Sequence, residues 1–103
     1  MMPAKRALIM HPNDNVATAL EEIRVGEEVS IPLVGVAITL RAVEAIPFGF
    51  KMALQDIPQG EIIRKYGETI GRAGTNIPKG ALVHIHNLEG TRARGDLERR
   101  REA

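Results

Sequence analysis

The apolar positions of this chain come in short runs, each closed by glycine or proline. Ala7–Met10 is the first, an unbroken apolar stretch stopped by His11-Pro12, and it predicts a buried strand. Val16, Ala19, Leu20 and Ile23 follow at helical spacing behind Asn13 and Asp14, whose short side chains can accept the orphan amide hydrogens of a first turn. Gly26 stands where a left-handed cap would end such a helix, so one short N-terminal helix is expected. Beyond it the period shortens. Glu28–Leu33, Val36–Val43, Lys51–Leu54, Ile62–Lys65 and Leu82–His86 predict strands separated by turns. The expected class is mostly β, with that helix as the exception.

One phrase recurs between these strands: Ile23-Arg-Val-Gly26, Ile46-Pro-Phe-Gly49, Ile57-Pro-Gln-Gly60 and Ile77-Pro-Lys-Gly80. Proline fixes φ at a first turn corner, and glycine two positions after it supplies the positive φ that a tight turn can need. The unequal spacing of the phrases argues for a string of turns feeding strands, not for a solenoid. Ile57, Ile77, Val83 and Ile85 are expected in the core. After Gly90 the chain is almost wholly polar, so residues 1–90 read as one domain and 91–103 as a charged tail.

Charge and composition remove several functions. Fourteen Lys+Arg face 13 Asp+Glu, and seven of the positive charges lie at Lys5, Arg6, Arg92, Arg94, Arg99, Arg100 and Arg101. The body is therefore mildly acidic and, with one Tyr, two Phe and no Trp, offers neither a basic stripe nor a stacking surface for nucleic acid. The absence of cysteine rules out disulfides, thiolate metal sites and a cysteine nucleophile, and suits a reducing compartment. No apolar run approaches a membrane span or a signal peptide, so the expected location is the cytoplasm.

Candidate chemistry is sparse. In a strand, His84 and His86 would project to one face about 7 Å apart and could share a ligand or a divalent metal, with Ile85 anchored in the core between them. Two imidazoles are fewer ligands than a complete site needs, and two half-exposed histidines on an edge strand fit the same spacing. His11-Pro-Asn-Asp14-Asn15 is a polar cluster at a predicted strand-to-helix junction, suited to capping or to an anion. Lys51 sits in an apolar stretch, facing either solvent or a cleft, and Lys65-Tyr66-Gly67 could close a hairpin. No nucleophilic triad, phosphate loop or carboxylate pair is present.

These motifs in register carry a family likeness. Phe48-Gly-Phe-Lys51-Met-Ala-Leu, Lys65-Tyr66-Gly67, Ile77-Pro-Lys-Gly80 and His84-Ile-His86-Asn87, behind Asp14-Asn15-Val16-Ala17, resemble the N-terminal domain of altronate and galactarate dehydratases. They are also similar to the small (alpha) subunit of sulfolactate sulfo-lyase, the nearer likeness on one detail. Dehydratase relatives commonly carry His where this chain has Phe50. The resemblance implies a SAF-type β-clip domain working in β-elimination from a hydroxy acid or a sulfonated acid, with a divalent metal, commonly Fe2+. It makes His84 and His86 candidate catalytic and metal-contacting residues. It makes Asp14, Asn15, Lys51, Lys65 and Asn87 candidate substrate-binding residues. The sugar-acid dehydratases run on into a large catalytic domain where this sequence ends. The implied role is thus a small lyase subunit beside a large catalytic partner, inactive without it. The alternative is a stand-alone binding module for a small hydroxy acid. Self-association into a homo-oligomer is also compatible with a small β domain that has exposed edges.

Overall fold

The computed structural model describes residues 4–33 and 35–90, so the tail expected at 91–103 lies outside the described residues. In chain order the strands are β1 (Lys5–Leu8), β2 (Val16–Ala19), β3 (Glu28–Leu33), β4 (Val36–Arg41), β5 (Lys51–Ala53), β6 (Ile62–Lys65), β7 (Glu68–Ala73), β8 (Leu82–Val83) and β9 (Leu88–Glu89). One sheet has the order β4-β3-β1-β2-β5-β8; the other has the order β6-β7-β9. The mostly-β expectation holds.

The N-terminal helix does not. No helix is present among the described residues, and Val16–Ala19 is a strand paired with both β1 and β5. Val16, Ala17 and Ala19 are all buried, because both faces of β2 are covered. A strand buried on both faces loses its period-two alternation, and its apolar positions can then imitate helical spacing. Gly26 has the expected positive φ of 86°, but in a turn instead of a helix cap.

That turn belongs to a device built four times. Each of Ile23, Ile46, Ile57 and Ile77 is buried, and each is followed three residues later by a glycine with φ between 84° and 88°. Four residues before each isoleucine stands an alanine: Ala19, Ala42, Ala53 and Ala73. The units lock in pairs. Ile23 and Ile46 exchange reciprocal backbone hydrogen bonds of 2.9 and 2.8 Å, and Ile57 and Ile77 exchange bonds of 2.7 and 2.8 Å. Each glycine N–H donates to the alanine carbonyl of the partner unit: Gly26 to Ala42, Gly49 to Ala19, Gly60 to Ala73 and Gly80 to Ala53. The chain is thus a structural duplication, with β2 to β5 in the first half matching β5 to β8 in the second.

Each half has its own core. Ile23, Val29, Ile31, Leu40, Ile46 and Met52 pack in the first, with Ala7, Ala17, Ala19 and Ala42. Val16, Ala53, Ile57, Ile63, Ile77 and Val83 pack in the second, with Ala73 and Ala81. Strands β2, β5 and β8 form the wall between them. Ala17, Ala19, Met52 and Leu82 point to the first core, while Val16, Ala53 and Val83 point to the second.

The four glycines are not equivalent. A Cβ on Gly60 meets nothing within 4 Å, whereas one on Gly80 would overlap the Arg41 carbonyl oxygen. Gly60→Ala should therefore cost only the positive-φ penalty, about 1 kcal/mol, since alanine disfavours that region. Gly80→Ala adds a backbone collision and should cost at least about 2 kcal/mol more, comparable to overpacking a core. Urea melts of the two variants test this. Equal midpoints would show that the Arg41–Gly80 contact is looser than described.

Candidate functional site

The wall between the cores positions the polar residues singled out in the sequence. Residues directly opposed across an antiparallel ladder share a face. Thr18 opposes Lys51, and Lys51 opposes Val83, so Thr18 and Lys51 lie on the second-core side. Lys65 ends β6, which packs on β2 from that side. The two lysines are close enough for the Lys65 charge to act on Lys51. Burial, first, and Lys65, second, hold the Lys51 ammonium below the usual lysine range. Among the described residues neither lysine forms an ion pair. The Thr18 hydroxyl oxygen, in the same ladder as Lys51, is buried without a hydrogen-bond partner among the described residues.

Three of the expected substrate-binding residues are occupied in holding this arrangement. The Asp14 carboxylate accepts the Tyr66 and Gly67 backbone N–H groups at 2.9 and 2.8 Å. Tyr66 and Gly67 have φ of 59° and 74°, the paired positive values of a two-residue hairpin turn between β6 and β7. A tyrosine in that region is uncommon, and the carboxylate clamp offsets its cost. The lysine before it reaches back, with Nζ 5.1 Å from the centre of the Tyr66 ring. The His11 ring covers the same turn, since a Cβ on Gly67 would come within 2.9 Å of it. Asn15 is 2% exposed, and its amide donates to the Ile62 carbonyl at 2.9 Å and accepts the Arg64 N–H at 2.8 Å. It thereby replaces a peptide group of a neighbouring strand along β6. Asn87 accepts the His84 N–H and donates to the Leu82 carbonyl, closing a local turn.

The histidine pair is arranged differently from expectation. Strand β8 ends at Val83, and residues 84–87 form a turn in which the Asn87 and Leu88 N–H groups donate to the His84 carbonyl. Ile85 is 83% exposed and not in the core, and His86 is exposed beside it. His84 lies against Phe50, with ring centroids 4.5 Å apart, one step along the ladder from Lys51 and therefore toward the opposite face of the wall. The structure thus brings Lys51 and Lys65 together and sets His84 apart from them. Among the described residues no group of three or more His, Cys, Asp or Glu could hold a metal ion. The donor set does not make a complete site for the divalent metal that the resemblance implies. Thr18 went unnoticed in the sequence; only its register with Lys51 reveals it.

No helix among the described residues is long and apolar enough to cross a membrane. Comparison with known proteins agrees with the pattern of motifs. Residues 5–91 match the altronate/galactarate dehydratase SAF domain. The altronate dehydratase of Bacillus subtilis is 39% identical over 85 residues, covering 82% of this chain and 16% of that enzyme. The altronate dehydratase of Escherichia coli is 42% identical over 78 residues, covering 76% of this chain and 15% of the enzyme. The (2R)-sulfolactate sulfo-lyase subunit alpha of Chromohalobacter salexigens is 41% identical over 46 residues, 45% of this chain and 49% of that subunit. The chain spans about one-sixth of the length of the altronate dehydratases it matches. By the extent of the family match and the identity of these relatives, this chain belongs to the altronate/galactarate dehydratase SAF-domain family.

Proposed function

We propose that this chain is the acid-holding module of a lyase whose catalytic groups lie mainly on a separate large subunit. The Lys51–Lys65 pair holds the anionic end, carboxylate or sulfonate, of a small hydroxy acid. The observation that carries this reading is the pair itself. Two ammonium groups acting on each other, one of them desolvated and neither ion-paired among the described residues, raise the energy of the empty domain. An anion between them removes both penalties at once, and the Thr18 hydroxyl beside Lys51 offers it a donor.

The histidines take a different part. His86, exposed with Ile85 on the 84–87 turn, is offered outward to the large subunit, and His84 supports that turn against Phe50. Any Fe2+ used in the reaction is ligated chiefly by the partner, since no group of three or more His, Cys, Asp or Glu gathers among the described residues here.

Calorimetric titration with 2,3-dihydroxy acids and sulfolactate tests this, with the chain alone and with the large subunit copurified from host extract. The expected result is acid binding that weakens at least tenfold in Lys65→Met, and elimination only with the large subunit present. Binding that is indifferent to Lys65→Met would sink the site. Full binding by the chain alone, with no large subunit recovered, would favour the stand-alone binding module.

A further inference from the structure

We propose that a second copy of this chain pairs antiparallel along the outer edge of β4, about a two-fold axis at Ile38. The sheet order leaves β4 at an edge. Its inner ladder to β3 runs through six register pairs without a bulge, from Glu28↔Arg41 to Leu33↔Val36. Backbone groups along such a strand point alternately toward and away from the neighbour. Ala42, continuing the even positions, bonds inward to Glu27 and Gly26, while Val43 bonds outward to the Gly80 carbonyl. The same parity turns the N–H and C=O groups of Ala37 and Thr39 outward. No partner for them exists among the described residues.

The duplication makes this edge conspicuous. The strand matching β4 in the second half is β7, and its outer edge is covered by β9 through Arg72↔Glu89 and Ala73↔Leu88. Among the described residues a covering strand is supplied to one of two equivalent edges and none to the other. Natural edge strands are usually guarded by lysine, proline or a bulge. Here Val36-Ala-Ile-Thr-Leu-Arg41 has none, and its single charge is drawn away, the Arg41 guanidinium donating to the Gly26 carbonyl at 2.6 Å.

The occupant follows from self-complementarity. With the axis at Ile38, Ala37 and Thr39 of one copy meet Thr39 and Ala37 of the other, so their four outward N–H groups find four outward carbonyls. Val36 then faces Leu40 of the second copy, and Ile38 faces Ile38. The apolar row of one strand continues into that of the other, covering Val36, which is 65% exposed in the single chain. No like charges are opposed in this register. A contact of this length is smaller than a standard stable interface, so the pairing is concentration-dependent.

Sedimentation velocity across a micromolar concentration series tests the proposal. The wild-type chain should pass from one to two copies. Thr39→Pro, which removes an outward N–H and spares the inner ladder, should weaken the pairing at least tenfold. Ala37→Lys, which leaves the backbone intact at an exposed position, should do the same while the circular dichroism spectrum stays unchanged. A chain that remains single throughout would overturn the proposal. So would a dimer that survives both substitutions, or an edge protected only when a large subunit is bound.

Discussion

Lys51→Met is expected to weaken acid binding at least tenfold, yet to leave the melting temperature of the empty domain unchanged or higher. The two effects share a cause. A half-buried ammonium beside Lys65 is worse placed in the folded chain than in the unfolded one, and an isosteric apolar side chain removes that burden while keeping the packing. Loss of a charge-assisted contact to the acid accounts for the tenfold figure, about 1.5 kcal/mol. The pH dependence carries the same signature. Because the folded-state pKa of Lys51 lies below the ordinary 10.5, the unfolded chain holds the proton more tightly. The penalty is fully present below the lowered pKa and lifts as pH rises from that value toward 10.5, so wild-type stability gains over this window. In Lys51→Met that gain should vanish. Acid affinity should move the opposite way in the wild type, falling as pH rises through the lowered pKa. Thermal melts at alkaline pH together with calorimetry check all three. A variant that loses both binding and several degrees of stability would mark Lys51 as scaffold.

Asn15→Ala should be the most damaging single change in the polar network, at about 4 kcal/mol. The amide satisfies a carbonyl and an N–H of β6, and its removal strands both in a site that is only 2% exposed. Each orphaned group costs about 1–3 kcal/mol, against a total stability of about 5–15 kcal/mol for a domain of this kind. Asn15→Asp is the informative companion. It keeps the acceptor for the Arg64 N–H but sets a carboxylate oxygen against the Ile62 carbonyl, and should recover little. Urea unfolding monitored by circular dichroism reads both. A loss below about 1 kcal/mol for Asn15→Ala would mean that water replaces the amide, and that β6 is less enclosed than described.

What the sequence made legible follows physical lines. Glu28–Leu33 and Ile62–Lys65 are strands with the expected bounds, because glycine or charge punctuates both ends. The recurring Ile-Pro-x-Gly phrase located three of the four turns, while its Ile23 variant, lacking the proline, also fitted the capped end of a helix. The spacing of Val16, Ala19, Leu20 and Ile23 misled because β2 is buried on both faces. Strand β7, with Glu68, Gly71 and Arg72, has no apolar signature. It forms because the Tyr66–Gly67 turn folds it back on β6, and Gly71 is needed where a Cβ would overlap the Glu89 carbonyl. In the site, Lys51 stands out in the sequence as a cation in an apolar stretch, whereas Lys65 reads only as a hairpin end and enters through the family likeness. The roles of Asp14, Asn15 and Asn87 were not, because the backbone groups that Asp14 and Asn15 satisfy lie 47 to 53 residues away and Asn87 serves a turn that was read as strand. Ile85 failed as a core residue for the same reason, since β8 stops two residues short of it.

The paired turns also bear on how the chain reaches this state. Joining Ile23 to Ile46 closes a segment of 23 residues, and joining Ile57 to Ile77 closes one of 20. Closure entropy varies as the logarithm of length, so these two steps differ by only about 0.1 kcal/mol. Neither half has a head start. Yet neither can bury its apolar residues until β2, β5 and β8 stand between them, because each face of that wall belongs to a different core. Two equal starting points and one shared partition describe a chain that can begin folding at either end but completes both halves together.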